Sequence, residues 1–173
     1  MDSKNKTEIQ QLIIEAAPYL EKKKLYVVCN TKSHEFKYEN FNTFDVRTEY
    51  LSDYEFEQVD SMLNKCIPVE RYFFDENDFI SFICNNLVDV KNIIVYNSAQ
   101  SGTGVGRKSL IPAFCSFKGI TVTGSNSYSA SLCRHKYHVI KILESHGVRV
   151  PKTYLYDKGW IFDKPQLYIK TYL

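Results

Sequence analysis

The feature that most restricts the fold is a run of five apolar residues, Leu25–Cys29. Such a run is typical of a strand covered on both faces, as in a parallel sheet flanked by helices. Further short runs follow at Glu70–Phe74, Asn92–Tyr96 and Ile120–Thr123, separated by segments with helical periodicity. Strands and helices that alternate at this spacing predict an α/β fold with a Rossmann-like, mainly parallel sheet and right-handed crossovers.

The flanking segments set the expected domain limits. Residues 5–17 have the periodicity of an amphipathic helix that Pro18 ends or kinks, so we interpret residues 1–23 as an accessory N-terminal helix. Residues 24–124 hold the predicted sheet. Residues 125–173 begin with a linking helix and end in an apolar run, which predicts the first strands of a second, truncated domain.

Polar residues at characteristic spacings mark the helix starts. Ser52 and Glu55 have the spacing of a capping box. The acidic cluster Asp75–Asp78 is expected to cap the next helix and to place acids at its positive end. Both signals predict helices that cover the sheet.

One lysine is unusual within the strand, turn, long helix and glycine stop predicted for Gly119–Pro151. In a continuous helix Leu132 and Leu143 lie on one apolar stripe, and Lys136 falls in the middle of it. A lysine there costs desolvation energy unless its stem reaches solvent or its ammonium meets an anion. Periodicity alone leaves both interpretations open.

Composition and charge argue against a nucleic-acid-binding, a membrane-spanning or a disulfide-stabilised protein. The 173 residues are 44% hydrophobic, and the net charge of +2 is spread over interspersed acids and bases, without a basic patch for nucleic acid. No apolar run has membrane-spanning length, and the first residues lack the apolar core of a signal peptide. The five scattered cysteines favour reduced, buried thiols. We expect a cytoplasmic protein without nucleic-acid or membrane partners.

The glycine loop from Gly102 to Ser109 offers the most obvious chemistry. It has the length of a phosphate-binding P-loop, but Arg107 stands where that motif needs its second glycine. Its Gly-x-Gly-x-Gly order also fits a dinucleotide fingerprint poorly. Arg107 and Lys108 close to a helix N-terminus nevertheless predict contact with an anion.

Two other groups of residues are of the types found in metal sites and in acid/base pairs. Cys133, His135 and His138 diverge on a continuous helix, so no metal site is predicted from them. His34 and Glu35 form a candidate acid/base pair in a long polar loop, although exposed loop residues of this kind are commonly just solvated.

Three separated patches resemble the D-alanine–D-alanine ligase branch of the ATP-grasp superfamily, and together they cover roughly residues 90–171. Glu49-Tyr50, ahead of the capped helix, also fits. The patches are Asn97–Ala113, similar to NIAEG…GRxREsqvPA; Ile120–Ser125 with Arg134-His135-Lys136 and Lys141, similar to gIPYTGS…DKxxxK; and Gly147–Lys152 with Leu167–Lys170, similar to GIPTP and PviVKP.

The resemblance implies a pre-ATP-grasp domain, Rossmann-like, followed by the start of an ATP-grasp central domain. The implied reaction is an ATP-dependent ligation, in which a carboxylate becomes an acylphosphate that an amine then attacks. The implied cofactors are ATP and Mg²⁺, with the metal ligands outside these 173 residues. The implied substrate is a small amino acid or peptide, and the implied assembly is a homodimer. The chain by itself is not expected to be catalytically complete.

The resemblance also implies roles for individual residues. Lys136 and Lys170 match lysines that reach ATP phosphates. Arg107 and the glycine loop, with Gly102, Gly104 and Gly106, are expected on the substrate or phosphate side. Glu35, in the pattern Ser-x-Glu, matches the glutamate that holds the first amino-acid substrate.

Some positions depart from the family pattern. His135 stands in place of an aspartate, Lys108 in place of a glutamate, and Thr171 in place of a proline. These differences favour a second interpretation, in which the chain is a non-catalytic module, derived from the ATP-grasp fold, that binds a small ligand or a protein.

Overall fold

The computed structural model describes residues 3–34, 49–102, 104, 106–157 and 160–162. Six α-helices and six strands lie within these ranges. The helices are α1 Ser3–Leu20, α2 Asp53–Cys66, α3 Glu76–Asn85, α4 Leu110–Lys118, α5 Ser127–Arg134 and α6 Lys136–Ser145. The strands are β1 Lys24–Cys29, β2 Val69–Phe73, β3 Ile93–Ser98, β4 Thr121–Val122, β5 Leu155–Asp157 and β6 Trp160–Phe162.

Strands β1 to β4 form a parallel sheet in the order β2-β1-β3-β4. The chain first steps from β1 to β2 on one side and then crosses to β3 on the other, so the strand order reverses between β1 and β3. In open sheets of this kind, ligands bind beyond the carboxyl ends of the strands at such a reversal. The predicted α/β class with a parallel sheet is confirmed, and the topology is compatible with a Rossmann-like fold.

Both faces of β1 are covered, which explains its unbroken apolar run. On one face, Val28 packs in a core with Phe79 of α3 and Ile111 of α4, and each of these side chains is at most 1% exposed. On the other face, Val27 lies in a second cluster against Phe56 of α2. Since successive side chains of a strand point to opposite faces, a strand between two helical layers must be apolar at every position.

The capping box predicted at the start of α2 is confirmed. The Ser52 hydroxyl accepts a hydrogen bond from the backbone N–H of Glu55, and the Ser52 N–H donates to the Glu55 carboxylate at 2.7 Å. Asp75 caps α3 in a similar way by accepting from the Asn77 N–H at 2.7 Å.

The predicted N-terminal helix is longer than its periodicity indicated. α1 continues through Pro18 to Leu20. A proline in the last turn removes one backbone hydrogen bond there, and the helix continues for two more residues. Leu12, Ile13 and Ile14 are between 63% and 66% exposed, so α1 presents apolar side chains to solvent.

The prediction of a single long helix before Gly147 is wrong, because the helix breaks at His135. The backbone there has φ −98° and ψ 82°, and the chain forms α5 and α6 on either side of it. The predicted apolar stripe requires a continuous helix, so it does not form as expected. Lys136 begins α6 and is exposed, and it is not buried among apolar side chains.

Beyond α6 the chain forms a short antiparallel hairpin of β5 and β6. Lys158, Gly159 and the apolar run at 166–171 lie outside the described residues. Within the described ranges, no helix is both long and apolar enough to cross a membrane.

The cysteines are free, as expected, but their burial was predicted wrongly for three of them. Cys29 and Cys115 are buried, whereas Cys66, Cys84 and Cys133 are exposed. Burial raises the pKa of both buried thiols to about 12, which keeps them protonated and unreactive at neutral pH.

Replacing Ser52 with alanine tests the contribution of the capping box. We expect Ser52→Ala to lower the free energy of unfolding by about 1 kcal/mol, since a backbone N–H at the start of α2 loses its acceptor. Urea denaturation measures the change. Ser61→Ala, in the middle of the same helix, is the control and is expected to change stability by less than about 0.5 kcal/mol. Equal effects of the two substitutions would contradict the role of the cap.

Candidate functional site

The candidate site is a cleft at the carboxyl ends of β3 and β4. Its volume is about 530 Å³. One wall is formed by the end of β3 and the residues after it, Asn97–Gln100, and a second by the turn after β4, Thr123–Ser125. Residues of α5 complete the lining of the cleft, together with Glu49, Leu51, Lys108 and Pro112. The carboxyl edge of a parallel sheet is a common place for ligands in α/β folds, and this cleft lies at that edge, beside the reversal between β1 and β3.

A buried polar network holds the strand ends that border the cleft. Asn30, directly after β1, donates from Nδ2 to the Phe74 carbonyl oxygen at 3.2 Å and to the Glu76 carboxylate at 3.0 Å. Its Oδ1 accepts from the backbone N–H of Gln100, after β3, at 2.6 Å. One side chain therefore connects the ends of β1, β2 and β3.

Glu76 is the second centre of this network and is 2% exposed. Besides Asn30, its carboxylate accepts from the Ser101 N–H at 2.7 Å and from the Ser101 hydroxyl at 2.6 Å. Three donors on a buried carboxylate offset much of its desolvation cost. Glu76 thereby fixes the residue with which the glycine loop begins.

Glu49 forms ion pairs with three cationic side chains at the wall of the cleft. Arg134 makes a bidentate contact, with Nη1–Oε2 at 2.7 Å and Nη2–Oε1 at 3.2 Å. Arg107 Nη2 lies 3.0 Å from Oε1, and Lys108 Nζ lies 3.9 Å from Oε2. The side chain of Arg107 is only 10% exposed, while that of Glu49 is 37% exposed.

The backbone around Glu49 is anchored to the strand ends. The Glu49 carbonyl oxygen accepts a hydrogen bond from Gln100 Nε2. Leu51 N–H donates to the Asn30 carbonyl oxygen at 3.0 Å, and Lys32 N–H donates to the Leu51 carbonyl oxygen at 2.8 Å. These contacts fix where the Glu49 side chain meets the cleft.

The pairing of Glu49 with the cations has a defined pH dependence. The hydrogen bond from Arg134 lowers the pKa of Glu49 below its ordinary value of 4.5, against an opposing effect of desolvation, and the charges of Arg134 and Arg107 act in the same direction. A carboxyl whose pKa is depressed in the folded state stabilises the fold above the unfolded-state pKa. This contribution is lost as the pH falls through the lower folded-state pKa.

The three described glycines of the glycine loop lie beside the cleft and do not line it, whereas Lys108 near the end of the loop does. Gly102 has φ +89°, a conformation that favours glycine, and a Cβ added there would meet no atom within 4 Å. A Cβ on Gly106 would lie 3.3 Å from Ser131 Oγ, because the loop packs close to α5. None of Gly102, Gly104 and Gly106 is among the residues that line the cleft. The phosphate contacts expected for these glycines remain predictions.

Of the single residues predicted for the site, Arg107 lies next to the cleft, whereas Lys136 lies outside its lining. Arg107 is brought to the cleft through Glu49. Lys136 begins α6, is exposed, and has no partner among the described residues. Glu35 and Lys170 lie outside the described residues, and their roles stay predictions.

The two histidines on either side of Lys136 do not diverge as predicted. Because the helix breaks at His135, the rings of His135 and His138 stack with centroids 3.7 Å apart. In the described part of the chain, no group of three or more His, Cys, Asp or Glu side chains is arranged to hold a metal ion.

Several residues of the site were not assigned from the sequence. Asn30 follows β1 directly and Gln100 is the second residue after β3, and this position at the strand ends is a signal that could have identified them. Glu76 was interpreted only as part of a helix cap. Glu49 and Arg134 were noted within the resemblance, but nothing in their local sequence shows that they meet.

Comparisons with family models, with curated proteins and with solved structures find no match for this chain.

Removing the Glu76 carboxylate tests the buried network. We expect Glu76→Ala to lower the free energy of unfolding by about 3 kcal/mol, because it leaves buried donors of Asn30 and Ser101 without an acceptor. Urea denaturation measures the loss. The control, Glu57→Ala on the exposed surface of α2, is expected to change stability by less than about 0.5 kcal/mol. If the two variants unfolded at the same urea concentration, the network would not have the stabilising role given to it.

Proposed function

We propose that the chain is the N-terminal part of an ATP-dependent carboxylate–amine ligase similar to the D-alanine–D-alanine ligases. In this function ATP activates a carboxylate as an acylphosphate, and an amine attacks the activated carbon with release of phosphate. The substrate class is a small amino acid or peptide. Phosphoryl transfer of this kind depends mainly on positioning and on neutralising charge.

One observation carries the proposal. Two of the three patches that resemble the family, which follow one another closely in the sequence, line a single cleft. The first patch supplies Asn97–Gln100 and Lys108, and the second supplies Thr123–Ser125 and Arg134. Both patches serve one active site in the proposed ligase, and a shared cleft is what that role requires.

The architecture supports the proposal in a second way. The parallel sheet is followed by the helices α5 and α6 and then by an antiparallel hairpin. This is the order expected for a pre-ATP-grasp domain, a linking segment and the first strands of an ATP-grasp central domain. ATP and Mg²⁺ are the cofactors of the proposed reaction, with Lys136 and Lys170 on the nucleotide phosphates. The same proposal includes a cytoplasmic location and assembly as a homodimer.

A non-catalytic ligand-binding module is the second candidate. The observation that favours it is the contact of Glu49 with Arg107 and Arg134. These two arginines already form ion pairs with a carboxylate of the protein itself. In this case the cleft binds a small acid, and no acylphosphate forms.

Amino-acid-dependent ADP release tests the ligase proposal. It is measured with Mg²⁺ and ATP across a panel of D- and L-amino acids and dipeptides, on this chain and on the longer product of its gene where the reading frame continues. We expect Lys136→Ala to reduce the rate about a hundredfold, as for loss of one preorganised charge at a transition state. Lys22→Ala, which removes an exposed lysine next to α1, serves as the charge-matched control and is expected to leave the rate unchanged.

The outcomes separate the two candidates. A rate that responds equally to Lys136→Ala and Lys22→Ala would contradict the phosphate role of Lys136. Binding of an amino acid without ADP release in either form of the protein would contradict the ligase and favour the binding module.

A further inference from the structure

The cleft has more positive charge than its own residues neutralise. Arg107, Lys108 and Arg134 surround the single carboxylate of Glu49, which leaves two positive charges in excess. Among the described residues that line the cleft, Glu49 is the only acidic one. Like charges held together at a partly enclosed surface repel one another and attract anions from solution.

Hydrogen-bond donors are also in excess at this wall. Arg134 uses two of its five N–H groups on Glu49, and Lys108 Nζ, at 3.9 Å from Glu49 Oε2, is beyond normal hydrogen-bond distance. Both side chains line the cleft, and they are 25% and 41% exposed. Unused charged donors therefore face a space large enough for a small molecule.

The geometry of the internal contact indicates which anion fits. Glu49 is held by Arg134 through both oxygens, at 2.7 Å and 3.2 Å. This fork-to-fork arrangement is the one that a guanidinium forms with a planar carboxylate. The protein thus already shows a carboxylate bound by the Arg134 guanidinium, and this carboxylate belongs to a side chain that is 37% exposed.

We propose that Lys108 and Arg134 form a binding site for the carboxylate of a small organic acid, and that Glu49 is an internal counter-ion which the ligand displaces or shares. Arg107, whose side chain is 10% exposed, is a positioning residue that holds Glu49 at the wall. This inference rests on the proposed ligase only for the role of the acid as its substrate. Binding itself needs no nucleotide.

Titrations of the full chain with small acids test the site. Glycine, D-alanine and succinate are each compared with their amides, and with inorganic phosphate, by two-dimensional NMR at constant ionic strength without nucleotide. We expect saturable binding of at least one carboxylate and about tenfold weaker binding of its amide, which corresponds to about 1.4 kcal/mol.

Two opposite substitutions make the test specific. Arg134→Gln is expected to weaken binding of that carboxylate about tenfold. Glu49→Gln is expected to strengthen it about fivefold, because the competing internal carboxylate is gone while the side chain keeps its size. A gain of affinity cannot arise from misfolding, so it remains informative if Arg134→Gln is unstable. Arg149→Gln, an exposed arginine that does not line the cleft, is the control and should leave binding unchanged.

Four results would overturn the proposal. They are the absence of saturable binding by every carboxylate, equal binding of acid and amide, no gain of affinity in Glu49→Gln, and saturation by inorganic phosphate at a lower concentration than by any carboxylate. Because no nucleotide is present, a failure of ADP release leaves the interpretation of these titrations unchanged.

Discussion

The site depends on one buried interaction, the hydrogen bond between Asn30 and Glu76 at 3.0 Å. Asn30 connects the ends of β1, β2 and β3, and Glu76 fixes Ser101 at the start of the glycine loop. Parallel strands end at one edge of a sheet with their last backbone groups unpaired, so side chains there must satisfy them. This network orders the strand ends, and the cleft takes its shape from them.

The network also determines where the charged side chains lie at the cleft. Gln100, held by Asn30 through its backbone N–H, donates from its side chain to the Glu49 carbonyl oxygen. Glu49 in turn meets Arg134, which is 85 residues further along the chain. A chain of contacts therefore leads from a buried carboxylate to the cationic wall, and each step is a named hydrogen bond. Both proposals use this wall, one for the substrate side of a ligase and one for the carboxylate that it recognises.

Much of the fold could be predicted from local sequence, and much of the site could not. The β1 run, the capping box of Ser52 and the glycine stop at Gly147 are signals confined to a few residues, and all of them appear in the structure. The break at His135 has no glycine or proline to announce it, so the helix containing Lys136 was predicted as continuous. The contact of Glu49 with Arg134 joins distant segments, and only the folded chain reveals it.

A structure of the chain with a bound small carboxylate tests the central claim most directly. The ligand would be the acid that binds most tightly in solution. We expect its carboxylate to lie within hydrogen-bonding distance of Arg134 and Lys108, in the cleft at the ends of β3 and β4, with the Glu49 side chain shared or displaced. A ligand bound elsewhere, with the Glu49–Arg134 contact intact and the cleft unoccupied, would contradict it.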